Sequence, residues 1–300
     1  MKIGIVGLGK MGLHMAARLM ERGHTVVGTD RRPAKLKKLE EAGGETVKTC
    51  KDLAAAVESP RLVWLMVAPG SGVDQIIGQL LPQLVEGDLI IDGGNSHYKE
   101  SIRRAAELEP KGIGFLDVGT TGGIAGSKHG FNLTVGGGDA GFRRAEPILK
   151  DLSADDGYLH TGPAGSGHFA KMIHNGIASA QLQAYGEGFE ILCRSRFSYD
   201  LKALARTWNR GSAIRSWLLE LSEAAFEQDP RLTSVKESGE DADEGRWTAE
   251  EALDLEVSAP VLTLSLLTGY ASKQESSFAA RLATALRHDL GGEPAKKVDA

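Results

Sequence analysis

Apolar residues recur in two rhythms along the chain, and the change of rhythm divides it. In the first half, short unbroken apolar runs alternate with stretches of helical spacing. "KIGIV", "HTVVGTD", "LVWLMVAP", "DLIIDGG", "IGFLDVG" and "FNLTVGG" read as strands. "LVWLMVAP" has no polar interruption, the pattern of a strand covered on both faces. "MGLHMAARLMERG" and "SHYKESIRRAAELEPKG" place apolar residues three and four apart, which predicts helices, the first stopped by Gly23. This alternation predicts an α/β fold with a mainly parallel sheet and helices on both faces.

From "HTGPAGSG" (160–167) onward the rhythm is helical, and no proline intervenes between Pro163 and Pro230. "FAKMIHNGIASAQLQAYGEGFEILCRS", "LKALARTWN", "AIRSWLLELSEAAFE", "TAEEALDLEV", "APVLTLSLLTGYAS" and "SFAARLATALRHDL" all predict helices. A boundary near residue 163 therefore separates a domain of residues 1–163 from an all-helical domain of residues 164–300. The acidic, glycine-containing "VKESGEDADEGRW" reads as a loop, and "GGEPAKKVDA" as a loose tail.

Bulk composition narrows the class only a little. The 300 residues are 41% hydrophobic and 25% charged, an ordinary globular balance. A net charge of −5 disfavours nucleic acid as the main partner, because phosphate backbones demand a basic surface. Two cysteines, Cys50 and Cys193, are too few for a disulfide scaffold or a four-cysteine metal site, and no metal is expected. No run reaches the roughly 18 apolar residues that would span a bilayer, so no membrane association is expected. "MKIGIVGLGKMG" leads straight into a strand and lacks the form of a signal peptide, which makes the cytoplasm the expected location.

The chemistry begins in the first turn. "GLGKMG" sets Gly7, Gly9 and Gly12 in a G-x-G-x-x-G pattern between a strand and a helix. Gly7 suits the tight turn, Gly9 lets a pyrophosphate approach the backbone, and Gly12 lets the helix pack on the strand. The next strand ends in Asp30, where a carboxylate accepts the adenosine ribose hydroxyls and repels a 2′-phosphate, which favours NAD. Arg31 and Arg32 follow, placed to stack on adenine or bind that phosphate, so NADP is admitted. The expected cofactor contacts are Gly7, Leu8, Gly9, Met11, Gly12, Asp30, Arg31, Val67 and Asn95, in a Rossmann-type domain.

Three further segments narrow the class. "IIDGGNSHY" puts Asn95 after a strand end, near where a nicotinamide would lie. "DVGTTGGIAGSKHG" gives Thr121, Gly122 and Gly123, a hydroxyl followed by flexible backbone. "KMIHNG" sets Lys171, His174 and Asn175 on one helical stripe, with Ala178 continuing it. With "GLGKMG", these segments resemble the β-hydroxyacid dehydrogenases. "KMIHNG", "IDGGN" and "WNRGSAIRSWLL" are similar in particular to the short form of the 6-phosphogluconate dehydrogenases, and the likeness runs through "GRWTAEEALDLEVSAPVLTLSL" and "LATALRHDLGG".

The resemblance implies NAD-linked oxidation of 6-phosphogluconate at its 3-hydroxyl, followed by decarboxylation to ribulose 5-phosphate, in the pentose phosphate pathway and gluconate utilisation. It implies that Lys171 is the base, and that partial desolvation beside the nicotinamide lowers its pKa. It implies that Asn175 and Asn95 orient the 3-hydroxyl and the nicotinamide, and that His174 touches substrate. Thr121, with Gly122 and Gly123, matches a carboxylate site where the family usually has serine. Arg215 matches a phosphate-binding arginine. Arg287 matches a second, which the family supplies from a neighbouring subunit; a homodimer or a dimer-based tetramer with a shared site follows. The resemblance places substrate and nicotinamide in the cleft between the domains.

Three positions depart from the family pattern. Ala178 stands where a glutamate protonates the enediol, Ser179 replaces a phosphate-contacting tyrosine, and Glu293 replaces a histidine. Alanine has no proton to give, and general acid catalysis contributes roughly 10²–10⁴-fold. Two alternatives follow: a paralogue that oxidises a different sugar acid without the usual acid-catalysed step, and a non-catalytic NAD-binding sensor.

Overall fold

A computed structural model describes residues 1–123, 125–235, 243–272, 277–279 and 281–282. The chain forms two compact units, Met1–His174 and a second that begins at Asn175.

The first unit is built on one eight-stranded sheet. In chain order its elements are β1 (Lys2–Val6), α1 (Lys10–Glu21), β2 (Thr25–Thr29), α2 (Pro33–Glu41), β3 (Glu45–Thr46), α3 (Cys50–Ala56), β4 (Leu62–Leu65), α4 (Ser71–Leu80), β5 (Leu89–Asp92), α5 (Tyr98–Leu108), β6 (Gly114–Thr121), α6 (Gly126–His129), β7 (Phe131–Gly137), α7 (Asp139–Leu152) and β8 (Ser153–Gly162). The strand order is β3-β2-β1-β4-β5-β6-β7-β8. The first six strands run parallel, in the doubly wound order of a Rossmann sheet. β7 turns back antiparallel to β6, and β8 runs parallel to β7. Ile3, Ile5, Trp64, Ile91 and Leu116 belong to an apolar core shared with α1 and α7; Val63, Leu65 and Ile90 belong to a second core shared with α3 and α4. Burial on both faces explains why "LVWL" and "LIID" read as continuous apolar runs.

The helix α8 (Ser166–Arg194) opens against this sheet. Asp117, fully buried on β6, accepts the backbone N–H of Gly165 at 2.6 Å and that of His168 at 2.8 Å. Those are donors that a helix N-terminus leaves unsatisfied, so the sheet itself supplies the cap. Thr134 on β7 donates from Oγ1 to the Gly167 carbonyl at 2.9 Å. Close approach needs small residues on both sides. A Cβ at Gly119 would overlap the Cβ of Lys171, and one at Gly167 would strike the Asp117 carbonyl. Ser101 on α5 bonds His168 Nδ1 at 2.8 Å, and the ring is buried.

The second unit contains the rest of α8, with α9 (Leu201–Trp208), α10 (Trp217–Gln228), α11 (Asp243–Asp254) and α12 (Pro260–Ser272). Phe189, Leu201, Ala205, Leu219 and Phe226 form its apolar centre. Gly176 packs on Thr248 of α11. The α/β class with helices following is the one the hydrophobic pattern predicts. Two local readings need correction. α11 starts at Asp243, so the last part of "VKESGEDADEGRW" is helical; the acidic composition that reads as loop equally suits a helix N-terminus. α10 starts at Trp217 and not at Ala213, because Ser216 caps it by accepting the Leu219 N–H at 3.2 Å. Arg215 therefore stands on a turn and not within a helix.

Substituting Gly119 by alanine should force α8 off β6 and cost about 2–3 kcal/mol. A denaturant midpoint equal to that of the parent protein would refute the close-packing account.

Candidate functional site

Three loops that leave the C-terminal ends of adjacent parallel strands build the first part of the site. The loop after β1 carries the glycines. Gly7 has φ +95°, and a Cβ there would overlap the Met66 carbonyl and lie 3.0 Å from Val67 Cγ1. A Cβ at Gly12 would overlap the Gly7 carbonyl, so α1 starts directly on the turn. Around Gly9 nothing lies within 4 Å of such a Cβ, which leaves open space at the N-terminus of α1. Gly7 and Gly12 are thus required by the protein's own packing, while Gly9 leaves room for an outside group. An anion suits that space, since backbone N–H groups and the positive end of the helix face it. Leu8 is fully buried and Met11 packs on the first core.

The second loop follows β4 and contains Val67, and the third follows β5 and contains Asn95. The two loops touch: a Cβ at Gly94 would come within 2.8 Å of the Val67 carbonyl. Asp92, fully buried at the end of β5, folds the third loop by accepting Ser96 Oγ at 2.7 Å and the Gly94 N–H at 3.2 Å. Arg104, also buried, reaches Ser96 Oγ at 3.2 Å, the Gly70 carbonyl at 3.1 Å and Asp74 Oδ1 at 2.8 Å. Asn95 itself is exposed at the crest of this loop.

Asp30 follows directly on β2, with a side chain only 6% exposed. Its Oδ2 accepts the Leu8 N–H at 2.8 Å and Arg32 Nη2 at 3.0 Å. Its Oδ1 accepts the Arg32 N–H and Nε, both at 2.9 Å. Burial alone would push this carboxyl up, but the bonds from Arg32 and Leu8 outweigh it and hold the group at about 2. Of the two arginines the sequence offers here, Arg32 engages the carboxylate, and both Arg31 and Arg32 are exposed.

β6 supplies the second part. Asp117, Gly119 and Thr121 alternate onto one face of the strand. Gly119 backs onto Lys171, so the half-buried lysine and Thr121 belong to the same face of the sheet. Thr121 Oγ1 lies 3.5 Å from Asn132 Oδ1. Gly122 and Gly123 have φ +117° and +53°, the left-handed backbone that ends the strand in a turn. His174, three residues beyond Lys171 on α8, is exposed.

Asn175, Ala178 and Ser179 continue α8 in the second unit, all half-buried. There Arg215 lines a cavity of about 480 Å³ with Gln181, Tyr185, Trp208 and Ser216. Arg287 and Glu293 lie outside the described residues. Asp92, Arg104 and Asp117 were not singled out by sequence reasoning. The available signal was a lone acid in each of two apolar strands, "LIID" and "GFLDVG", since a buried carboxylate needs donors.

Two family profiles match the chain: the NAD-binding domain of 6-phosphogluconate dehydrogenase over residues 2–162, and the C-terminal domain of 6-phosphogluconate dehydrogenase over residues 167–297. YqeC of Bacillus subtilis is 44% identical over 297 residues, covering 99% of this chain and 100% of that protein. The NAD(+)-dependent, decarboxylating 6-phosphogluconate dehydrogenase of Haloferax volcanii is 41% identical over 302 residues, covering 100% of both. Among solved structures, the 6-phosphogluconate dehydrogenase of Plasmodium falciparum superposes with a TM-score of 0.83 at 26% identity. That match covers 98% of this chain and 65% of the Plasmodium chain. The 3-hydroxyisobutyrate dehydrogenase of Salmonella typhimurium shares the fold, with a TM-score of 0.75 at 19% identity over 90% of this chain and 93% of that one. Matched by both profiles in succession and by full-length relatives, this chain belongs to the 6-phosphogluconate dehydrogenase family, whose first domain binds NAD.

Proposed function

We propose that the chain oxidises 6-phosphogluconate at C3 with NAD and decarboxylates the product to ribulose 5-phosphate, a step of the pentose phosphate pathway and gluconate utilisation. The observation that carries this reading is the seat of Lys171. Its Cβ is pressed against Gly119 on β6, next to Thr121 on the same strand face. A helical side chain leans over the turn before it, so the lysine stem is held between helix and sheet.

The open space at Gly9 and the N-terminus of α1 fit the pyrophosphate of the cofactor, with Gly7, Leu8, Met11, Gly12, Asp30, Arg31, Val67 and Asn95 as the remaining contacts. Bound NAD supplies the hydride acceptor. Lys171 Nζ takes the proton of the 3-hydroxyl as the C3–H bond breaks, and a C3 carbonyl forms. The lysine then returns that proton to the C3 oxygen as carbon dioxide leaves, and an enediol remains. Thr121 with Gly122 and Gly123 holds the departing carboxylate, Asn175 and His174 orient the hydroxyls, and Arg215 and Arg287 take the phosphate. Ala178 offers no proton to the enediol, so water completes the last step. Arg287 comes from a second copy of the chain in a homodimer, the building block of any tetramer. Val261, Leu264 and Leu267, 69%, 65% and 53% exposed on α12, support such an assembly. Among the described residues no helix is long and apolar enough to cross a membrane; the proposed location is the cytoplasm.

The missing acid favours one second reading: a paralogue that oxidises another sugar acid. Comparing NAD reduction and carbon dioxide release on 6-phosphogluconate and gluconate separates the two.

Cofactor choice has its own mechanism. The four bonds to Asp30 fill the roughly four acceptor positions of a carboxylate. Ribose hydroxyls can bind there only when the Arg32 side chain lets go, and a released guanidinium is ready for a 2′-phosphate.

Three outcomes are expected. Lys171→Met should lower NADH formation at least about 10³-fold while NAD binding by fluorescence is unchanged; turnover near the parent rate would remove the lysine from its role. Ala178→Glu should raise the rate of carbon dioxide release from 6-phosphogluconate, and no rise would mean that protonation does not limit it. Arg32→Ala should lower the KM for NAD and raise that for NADP, an opposite movement that a general loss of stability would not produce. Because Asp30 is held at about 2, below its unfolded value, its bonds contribute stability above pH of about 4 that is lost as pH falls toward 2.

A further inference from the structure

Tyr185 lies on α8, half-buried, in the second unit. Its hydroxyl is 2.7 Å from the Ile214 carbonyl and 2.9 Å from Ser216 Oγ. Ile214 and Ser216 are the residues on either side of Arg215. The phenol has one proton, and the carbonyl can only accept, so Tyr185 donates to Ile214. Ser216 Oγ accepts the Leu219 N–H at 3.2 Å and gives its own proton to the tyrosine oxygen. The phenol is therefore a two-point latch that straddles the arginine.

The remainder of the turn is tied to its own helices. Ser216 N–H donates to Asn209 Oδ1 at 2.9 Å, and Ser212 Oγ donates to the Trp208 carbonyl at 2.6 Å. Tyr185 ties this turn to α8, and it lines the same cavity as Arg215.

We propose that Tyr185 is the positioning residue that sets Arg215 for a phosphorylated acid and so distinguishes 6-phosphogluconate from gluconate. The inference rests on the reading of Arg215 as a phosphate contact. Replacing the phenol with a phenyl ring keeps the packing and removes both bonds, so the turn keeps its ties to α9 and α10 and loses its tie to α8 on either side of the guanidinium. The arginine retains its charge but loses its fixed bearing, and a bidentate fork is useful to phosphate oxygens only when it is aimed.

The test is a KM-against-kcat split in four proteins: the parent, Tyr185→Phe, Arg215→Ala and the double variant, each first checked for fold by circular dichroism. In Tyr185→Phe the KM for 6-phosphogluconate should rise about tenfold, with kcat changed less than about threefold. The KM for gluconate should be the same in both proteins. In the Arg215→Ala background the tyrosine substitution should add nothing, because the latch would have nothing left to aim. If Arg215→Ala raises the KM for 6-phosphogluconate and Tyr185→Phe does not, the latch is refuted and the phosphate role stands. Equal rises for both acids, or a full effect of Tyr185→Phe without Arg215, would also overturn the latch. If Arg215→Ala leaves the KM for 6-phosphogluconate unchanged, the reading of Arg215 fails and this inference fails with it.

Discussion

The bonds from the Gly165 and His168 N–H groups to Asp117 tie the first turn of α8 to the middle of the sheet, and the position of Lys171 depends on them. A buried carboxylate deprived of donors costs several kcal/mol, so strand and helix cannot part without exposing that cost. The surrounding residues are small because the carboxylate is short. Gly119, Gly136 and Gly167 let the helix backbone come close enough for those bonds to form. The lysine follows one turn after the capped residues, and its Cβ meets the strand where Gly119 leaves room.

Asp92 and Asp117 are register partners on β5 and β6. Asp92 holds the turn from β5 into the Asn95 loop, and Asp117, in the middle of β6, caps the start of α8. Arg104, Ser96, Ser101 and His168 complete a buried polar cluster around them. Every member makes at least one hydrogen bond within the cluster, although the buried His168 Nε2 has no partner among the described residues. In this chain the cluster lies behind the residues proposed to face cofactor and substrate, so the same bonds that stabilise the unit also fix the loops.

The parts of the site that could be read from sequence are those whose physics is local. Gly7 and Gly12 of "GLGKMG" act on neighbours within a few residues or on the facing strand, and the spacing states their role. The "KMIHNG" stripe follows from helical periodicity. Asp117 could not be read in the same way, because its donors are 48 and 51 residues away. Arg32 was legible as a cation near a phosphate, but its closure onto Asp30 depends on a side-chain conformation. Arg215 was read inside a helix because "AIRSWLLELSEAAFE" keeps its spacing through Ser216, which in fact caps the helix. β8 escaped the pattern because most of its residues are only partly covered, so the apolar alternation of a strand is absent. The proposed site roles rest on resemblance and geometry together, and neither is contained in composition.

The three glycines of the first turn are exposed to different kinds of selection. A side chain at Gly7 or Gly12 would collide with the protein's own backbone, so variants there would be removed through misfolding whether or not a cofactor is needed. A side chain at Gly9 would meet nothing in the protein. Packing against the protein does not preserve that residue, whereas the proposed contact with a pyrophosphate would. A lineage that ceased to need the nucleotide would retain its fold and its first and third glycines, and would record the loss at Gly9 alone.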